Sequence, residues 1–152
     1  MALDAGLVGR SYPPSPVYEV GRVKIAEFAT ALGLTDPVHL DTAAARGAGH
    51  ADVVAPPTFA IVLTLAAAQV VLGDPEVSLD YARVVHGEQR FTHHRPIRAG
   101  DRLVATTTIQ AVRSVGGNDL LTTRVDVATE DGEPVCAASS MLVARGLDGD
   151  AA

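Results

Sequence analysis

The chain has 152 residues, 47% of them apolar, and a formal charge of −6. That is enough for one domain with a real core, and it sets the chain against general binding of nucleic acid or acidic membrane, which calls for a net basic face. A single cysteine, Cys136, excludes an internal disulfide, and residues 1–10 have neither the basic start nor the apolar segment of a signal peptide, so a reducing cytoplasm is the expected setting.

In chain order, a short strand is expected around Val17 to Val20. Ile25, Phe28, Ala29 and Leu32 recur at helical spacing, which predicts an amphipathic helix over 22–32 that stops near Gly33. An ordered loop over 34–40 follows. Asp41 then has the character of an N-cap for a short helix through Ala45, closing at Gly47 or Gly49. The longest apolar stretch, 53–72, is interrupted by Pro56 and Pro57, which leaves too short a run to span a membrane. Residues 58–72, apolar on every side between those prolines and Gly73, predict a helix buried all round at the centre of the fold.

Beyond it the period changes to two. Val85, Gly87, Gln89 and Phe91 alternate with His86, Glu88 and Arg90. Three further alternating runs follow, at 103–111, 121–127 and 135–143, separated by Gly116-Gly117-Asn118-Asp119 and by Asp131-Gly132, so antiparallel hairpins are expected. The reading is one domain over 1–147 with a disordered tail at 148–152. An antiparallel sheet of about five strands (counted from these alternations) around one long buried helix is an α+β arrangement and suggests a hotdog fold.

Local motifs add to that reading. Gly33-Leu34-Thr35-Asp36-Pro37-Val38-His39 resembles the Gly-Asp-x-Asn-Pro-x-His signature of the MaoC-like (R)-specific hydratases and dehydratases. Val53-Val54-Ala55-Pro56-Pro57-Thr58-Phe59, His86-Gly87-Glu88-Gln89 and Arg95-Pro96-Ile97-Arg98-Ala99-Gly100-Asp101 are similar to its actinobacterial branch, the FAS1-like small subunits of (3R)-hydroxyacyl-ACP dehydratases. The resemblance spans nearly the whole chain. It implies a hydro-lyase acting on (3R)-hydroxyacyl or trans-2-enoyl thioesters, carried by CoA or ACP, in fatty-acid or related acyl metabolism. It also implies no cofactor, and a homodimer or a heterodimer with a second hotdog subunit.

Dehydration needs a base for the C2 proton, an acid for the leaving hydroxyl and donors for the thioester oxygen. Mapped onto the family's pattern, its His is His39, its Asn position holds Asp36, and its Asp position holds Leu34. Three readings stay open: Asp36 and His39 form the acid/base pair; the chain is a non-catalytic acyl-binding subunit; or Asp36 caps an Asp-Pro turn and His39 is an ordinary loop histidine. Pro56 and Pro57 cannot donate, so the free N–H groups of Thr58 and Phe59 are the candidate oxyanion donors, against plain helix entry by proline.

Gln89 is a candidate substrate-binding polar group or a satisfied core residue. His86, expected on the opposite face, is an alternative to His39 or a surface histidine. Arg90, Arg95 and Arg98 are a candidate docking site for an acidic carrier protein, or simply solvated surface. His93 and His94, adjacent and therefore on opposite faces of a strand, argue against a metal site. An acyl thioesterase shares the architecture, but 58–72 contains no acidic residue of the kind that directs water at a thioester in many such enzymes.

Overall fold

The computed structural model describes residues 3–77 and 79–146; the tail expected at 148–152 lies outside them. Among the described residues, five strands form one layer of sheet curled around one of three α-helices. Helix α1 covers Arg22–Ala31, α2 covers Thr42–Gly47, and α3 covers Ile61–Leu72, entered through a 3-10 turn at Pro57–Ala60. Asp41 caps α2, accepting from Ala44 N at 2.8 Å. The strands are β1 (Tyr18–Glu19), β2 (Val84–His93), β3 (Arg102–Val115), β4 (Asn118–Thr129) and β5 (Pro134–Ala144). They pair antiparallel in the order β1-β3-β4-β5-β2, which is the hotdog arrangement expected. The β3–β4 turn is Gly116-Gly117, with φ of 55° and 76°, the positive pair that a two-residue type I′ hairpin requires.

The core forms where the entrance of α3 meets the sheet. Phe59, Ala60 and Leu63 pack against Leu103, Val125 and Val135, and Phe28 of α1 meets the Phe59 ring edge-on at 5.4 Å. Each large side chain so buried stabilises the fold by about 2 kcal/mol. Thr107 of β3 ties the helix down by donating its hydroxyl to Ala67 O at 3.0 Å. A second cluster joins Leu3 and Leu7 of the N-terminal segment to Val71, Ile109 and Leu121. Among the described residues no helix is long and apolar enough to cross a membrane.

Two expectations are corrected. Helix α3 is not buried all round: Leu65 is 53% and Val70 42% exposed. One curled sheet covers one side of a helix, and the other side of α3 has no layer over it.

His86 and Gln89 do not lie on opposite faces. His86 stands opposite Leu142 and Glu88 opposite Met141, so Gly87 is the extra residue of a β-bulge. An added residue shifts the alternation beyond it by one. Val84 and His86 therefore line a groove against α3, and Gln89 also meets α3 beside Thr64. Val85 turns outward. Glycine lets the neighbouring strand's side chains pack close against the bulge: a Cβ here would lie 3.0 Å from Met141 Cε and 3.2 Å from Val143 Cγ2, and both would have to shift.

Candidate active site

The loop between α1 and α2 is organised by its own aspartate and proline. Asp36 accepts from Val38 N at 3.0 Å and caps a 3-10 turn over Pro37–His39, with Pro37 at its first position. That is the local geometry an Asp-Pro pair favours. The loop is then sewn to the segment before α3: Val54 N donates to Val38 O at 3.0 Å, and the His39 ring lies 2.6 Å from Val54 O through Nδ1. A carbonyl only accepts, so Nδ1 carries the proton and Nε2 of the neutral ring keeps its lone pair.

His39, Val54, Pro56 and Pro57 border an open cleft of about 430 Å³, together with His93, His94, Arg95 and Ile97. The structure brings His39 to the entrance of α3 and joins it to Asp36 only through the backbone, His39 N–H donating to Asp36 O at 3.1 Å, with no bond between the two side chains. Asp36 is exposed. Leu34, in the position of the family's carboxylate, is 37% exposed.

At the helix entrance the two candidate donors part company. Phe59 N–H donates to Pro56 O at 2.9 Å and its ring is fully buried, so it has no donor to offer a substrate. Thr58 N–H has no acceptor among the described residues.

His93, which the sequence does not single out as a site residue, has its Nε2 donating to Pro57 O at 2.8 Å, and its ring borders the cleft with His39. The signal was available in the alternation that carries Gln89 and Phe91 on to His93. Among the described residues no three His, Cys, Asp or Glu side chains gather as a metal would need.

A second depression of about 290 Å³ runs between the exposed side of α3 and the sheet. It is lined by Leu65, Ala68, Leu72, His86, Thr123 and Ser140, among others. His86 Nε2 lies 3.0 Å from Ser140 Oγ, so this histidine faces the groove. Gln89 adjoins it beside Thr64.

The arginines of the proposed docking segment are largely engaged within the chain. Arg95 makes a two-pronged pair with Asp101, at 2.8 and 3.1 Å, and reaches Glu133 at 3.0 Å. Its carboxylate partners, Asp101 first, raise its pKa above the ordinary guanidinium value. Arg98 sits 3.7 Å from Asp101, and Arg90 pairs with Glu88 at 2.7 Å on the surface. Cys136 is buried, and desolvation pushes its thiol up to about 11.

With that geometry in hand, comparison with known proteins is specific. The profile of the FAS1-like, dehydratase domain region matches residues 6–138. A UPF0336 protein of Streptomyces griseus is 57% identical over 97% of this chain and 99% of its own. Another, from Saccharopolyspora erythraea, is 53% identical over 99% of this chain and 96% of its own. The crystal structure of the C-terminally truncated HadBC (3R-hydroxyacyl-ACP dehydratase) complex of Mycobacterium tuberculosis includes a chain 32% identical, with a TM-score of 0.81, over 90% of this chain and 96% of that one. The chain belongs to the FAS1-like dehydratase domain family of MaoC-like hotdog proteins.

Proposed function

We propose that this chain is one subunit of a hydratase/dehydratase that interconverts (3R)-hydroxyacyl and trans-2-enoyl thioesters, carried by CoA or ACP. It shapes the acyl groove, while a second hotdog subunit supplies the carboxylate for proton transfer. Dehydration removes the proton from C2 and delivers one to the hydroxyl leaving C3, with donors holding the thioester oxygen as it gains enolate character.

One observation carries the proposal: the only carboxylate inside the signature loop, Asp36, is exposed and occupied with Val38 N, and Leu34 fills the position where the family has its Asp. Likeness to a chain of the HadBC complex supports a shared assembly of the same kind. The free Nε2 of His39, on a cleft that Pro57 also lines just before the unengaged N–H of Thr58, favours a second reading in which the chain acts alone.

Incubation with crotonyl-CoA and a longer enoyl-CoA separates the two. Under the proposal the purified chain leaves the enoyl absorbance unchanged, and activity appears when it is co-purified with a hotdog protein bearing an intact Asp and His pair. His39→Ala then changes the rate of the pair by less than about tenfold, whereas loss of a true acid/base costs roughly 100- to 10,000-fold. Hydration by the chain alone, abolished by His39→Ala, would establish the second reading. Release of free thiol from a saturated acyl-CoA would point to a thioesterase instead.

A further inference from the structure

The groove between α3 and the sheet is apolar along most of its length, but its wall contains polar groups that the fold does not use. Thr64 is 2% exposed, and its Oγ1 has no hydrogen-bond partner. Leaving a buried hydroxyl unpaired costs about 1–3 kcal/mol, so a threonine here, where valine has the same shape, requires a reason.

Thr64 borders a gap of about 10 Å³ shared with Gln89, Leu65, Ala68 and Ser140. A gap that size is at the lower limit for a single water molecule. It adjoins the groove of about 290 Å³, with which it shares Leu65, Ala68 and Ser140. The Gln89 side chain makes no hydrogen bond among the described residues, although it is half-buried. Ser140 Oγ, held 3.0 Å from His86 Nε2, adds a further hydroxyl, and the Gly87 bulge is what turns both His86 and Gln89 to this side.

From these contacts we propose that Thr64, Gln89 and Ser140 form a recognition site for an oxygen atom within the acyl chain, a hydroxyl or a ketone, so that the groove selects oxygen-bearing acyl thioesters over plain alkyl ones. Both a hydroxyl and a carboxamide can donate and accept, so the site suits either form of oxygen. Its place along the chain follows from the helix. Thr64 lies six residues beyond Thr58, about 10 Å along the axis, so an acyl chain that runs along α3 from a thioester at the helix entrance would have its middle beside Thr64, well clear of C3. The inference rests on the acyl-groove reading above and adds the substrate class to it.

The test is binding, which does not depend on turnover. The full chain, in whatever assembly it forms in solution, is loaded with a fluorescent fatty-acid probe, and the probe is displaced with lauroyl-CoA and with its mid-chain hydroxy and keto forms. The oxygen-bearing chains are expected to bind roughly tenfold more tightly, the equivalent of about 1.4 kcal/mol for a satisfied buried hydroxyl. Thr64→Val, which keeps the shape, and Gln89→Leu should each pull that ratio towards one by weakening the oxygen-bearing chains.

Equal affinity of the wild-type protein for all three thioesters overturns the inference and leaves the acyl groove standing. A preference that survives both substitutions overturns it too, by placing the site elsewhere. If no thioester displaces the probe, the acyl-groove reading fails and takes the inference with it. Separate hydroxy and keto arms show which form of oxygen the site prefers.

Discussion

Asp101, with a side chain 6% exposed, receives two bonds from Arg95 and one from the backbone N–H of Arg98, and so fixes the turn between β2 and β3. Removing one partner of a buried pair strands the other, at a cost of about 3 kcal/mol. Asp101→Ala should therefore lower the melting temperature by roughly 6–12 °C, measured by calorimetry against the wild type; a change within about 2 °C would show that the pair contributes little. Arg95 and Arg98 were visible as positive charge, but their counter-charges are Asp101, six residues on from Arg95, and Glu133, across a hairpin, and only the fold brings those together. Arg95→Glu would place a third carboxylate beside two others, so any loss of carrier binding in that variant has to be separated from loss of stability. The aspartate in the signature loop was legible for the opposite reason, since an Asp-Pro turn is settled by neighbours in sequence. At Cys136 the thiol, pushed up to about 11 by burial, should resist alkylation by iodoacetamide at pH 8 in the native protein and react fully once unfolded; rapid native labelling would show that β5 opens.

At the scale of elements, the helices and hairpins were legible because their signals are local: period, caps and glycine turns. Two features were not. The bulge at Gly87 depends on how β2 registers with β5, which no pattern inside β2 reveals, and it decided the side on which His86 lies. The N-terminal segment gave no periodic signal, yet it straps the far end of α3. Arg10 reaches Asp74 at 2.8 Å and Glu76 at 2.5 Å, and Tyr12 donates its hydroxyl to Asp74 at 2.7 Å. The bond from Arg10, then the one from Tyr12, holds the Asp74 carboxyl down at about 2, and Arg22 at the start of α1 first, then the Val53 N–H, does the same to Asp52 in the segment before α3. In the unfolded chain both carboxyls titrate near 3.8, so between those values the unfolded state binds more protons and stability rises with pH. The contribution is complete above about pH 4 and is lost as pH falls towards 2. Melting temperature followed through that window should drop, and Asp74→Asn should flatten part of the slope; an unchanged slope in the variant would mean that the strap does not depend on this charge.

For the molecule as a whole, the sheet and helix leave two surfaces that a single chain does not cover. Strand β2, Val84–His93, pairs with β5 on one side only and forms the edge of the sheet, a long row of backbone groups of the kind proteins seldom leave open. Beside it lies the uncovered side of α3, where Leu65 and Val70 present branched apolar side chains to solvent. Helix α3 has no acidic or basic residue, and Gln69 is the one polar side chain it exposes, although the chain as a whole carries −6. Pairing with a second hotdog chain would satisfy both surfaces at once, extending the sheet across β2 and covering α3, and it would bring a partner's residues towards the cleft that lacks a carboxylate of its own. Light scattering at micromolar concentration should then give a mass of two hotdog chains. Val70→Glu should shift it towards a monomer that keeps its circular dichroism, since Val70 is already 42% exposed within one chain and a charge there costs little until a partner must cover it. A wild-type protein that is monomeric under those conditions would remove the shared site, and with it the source of the missing carboxylate.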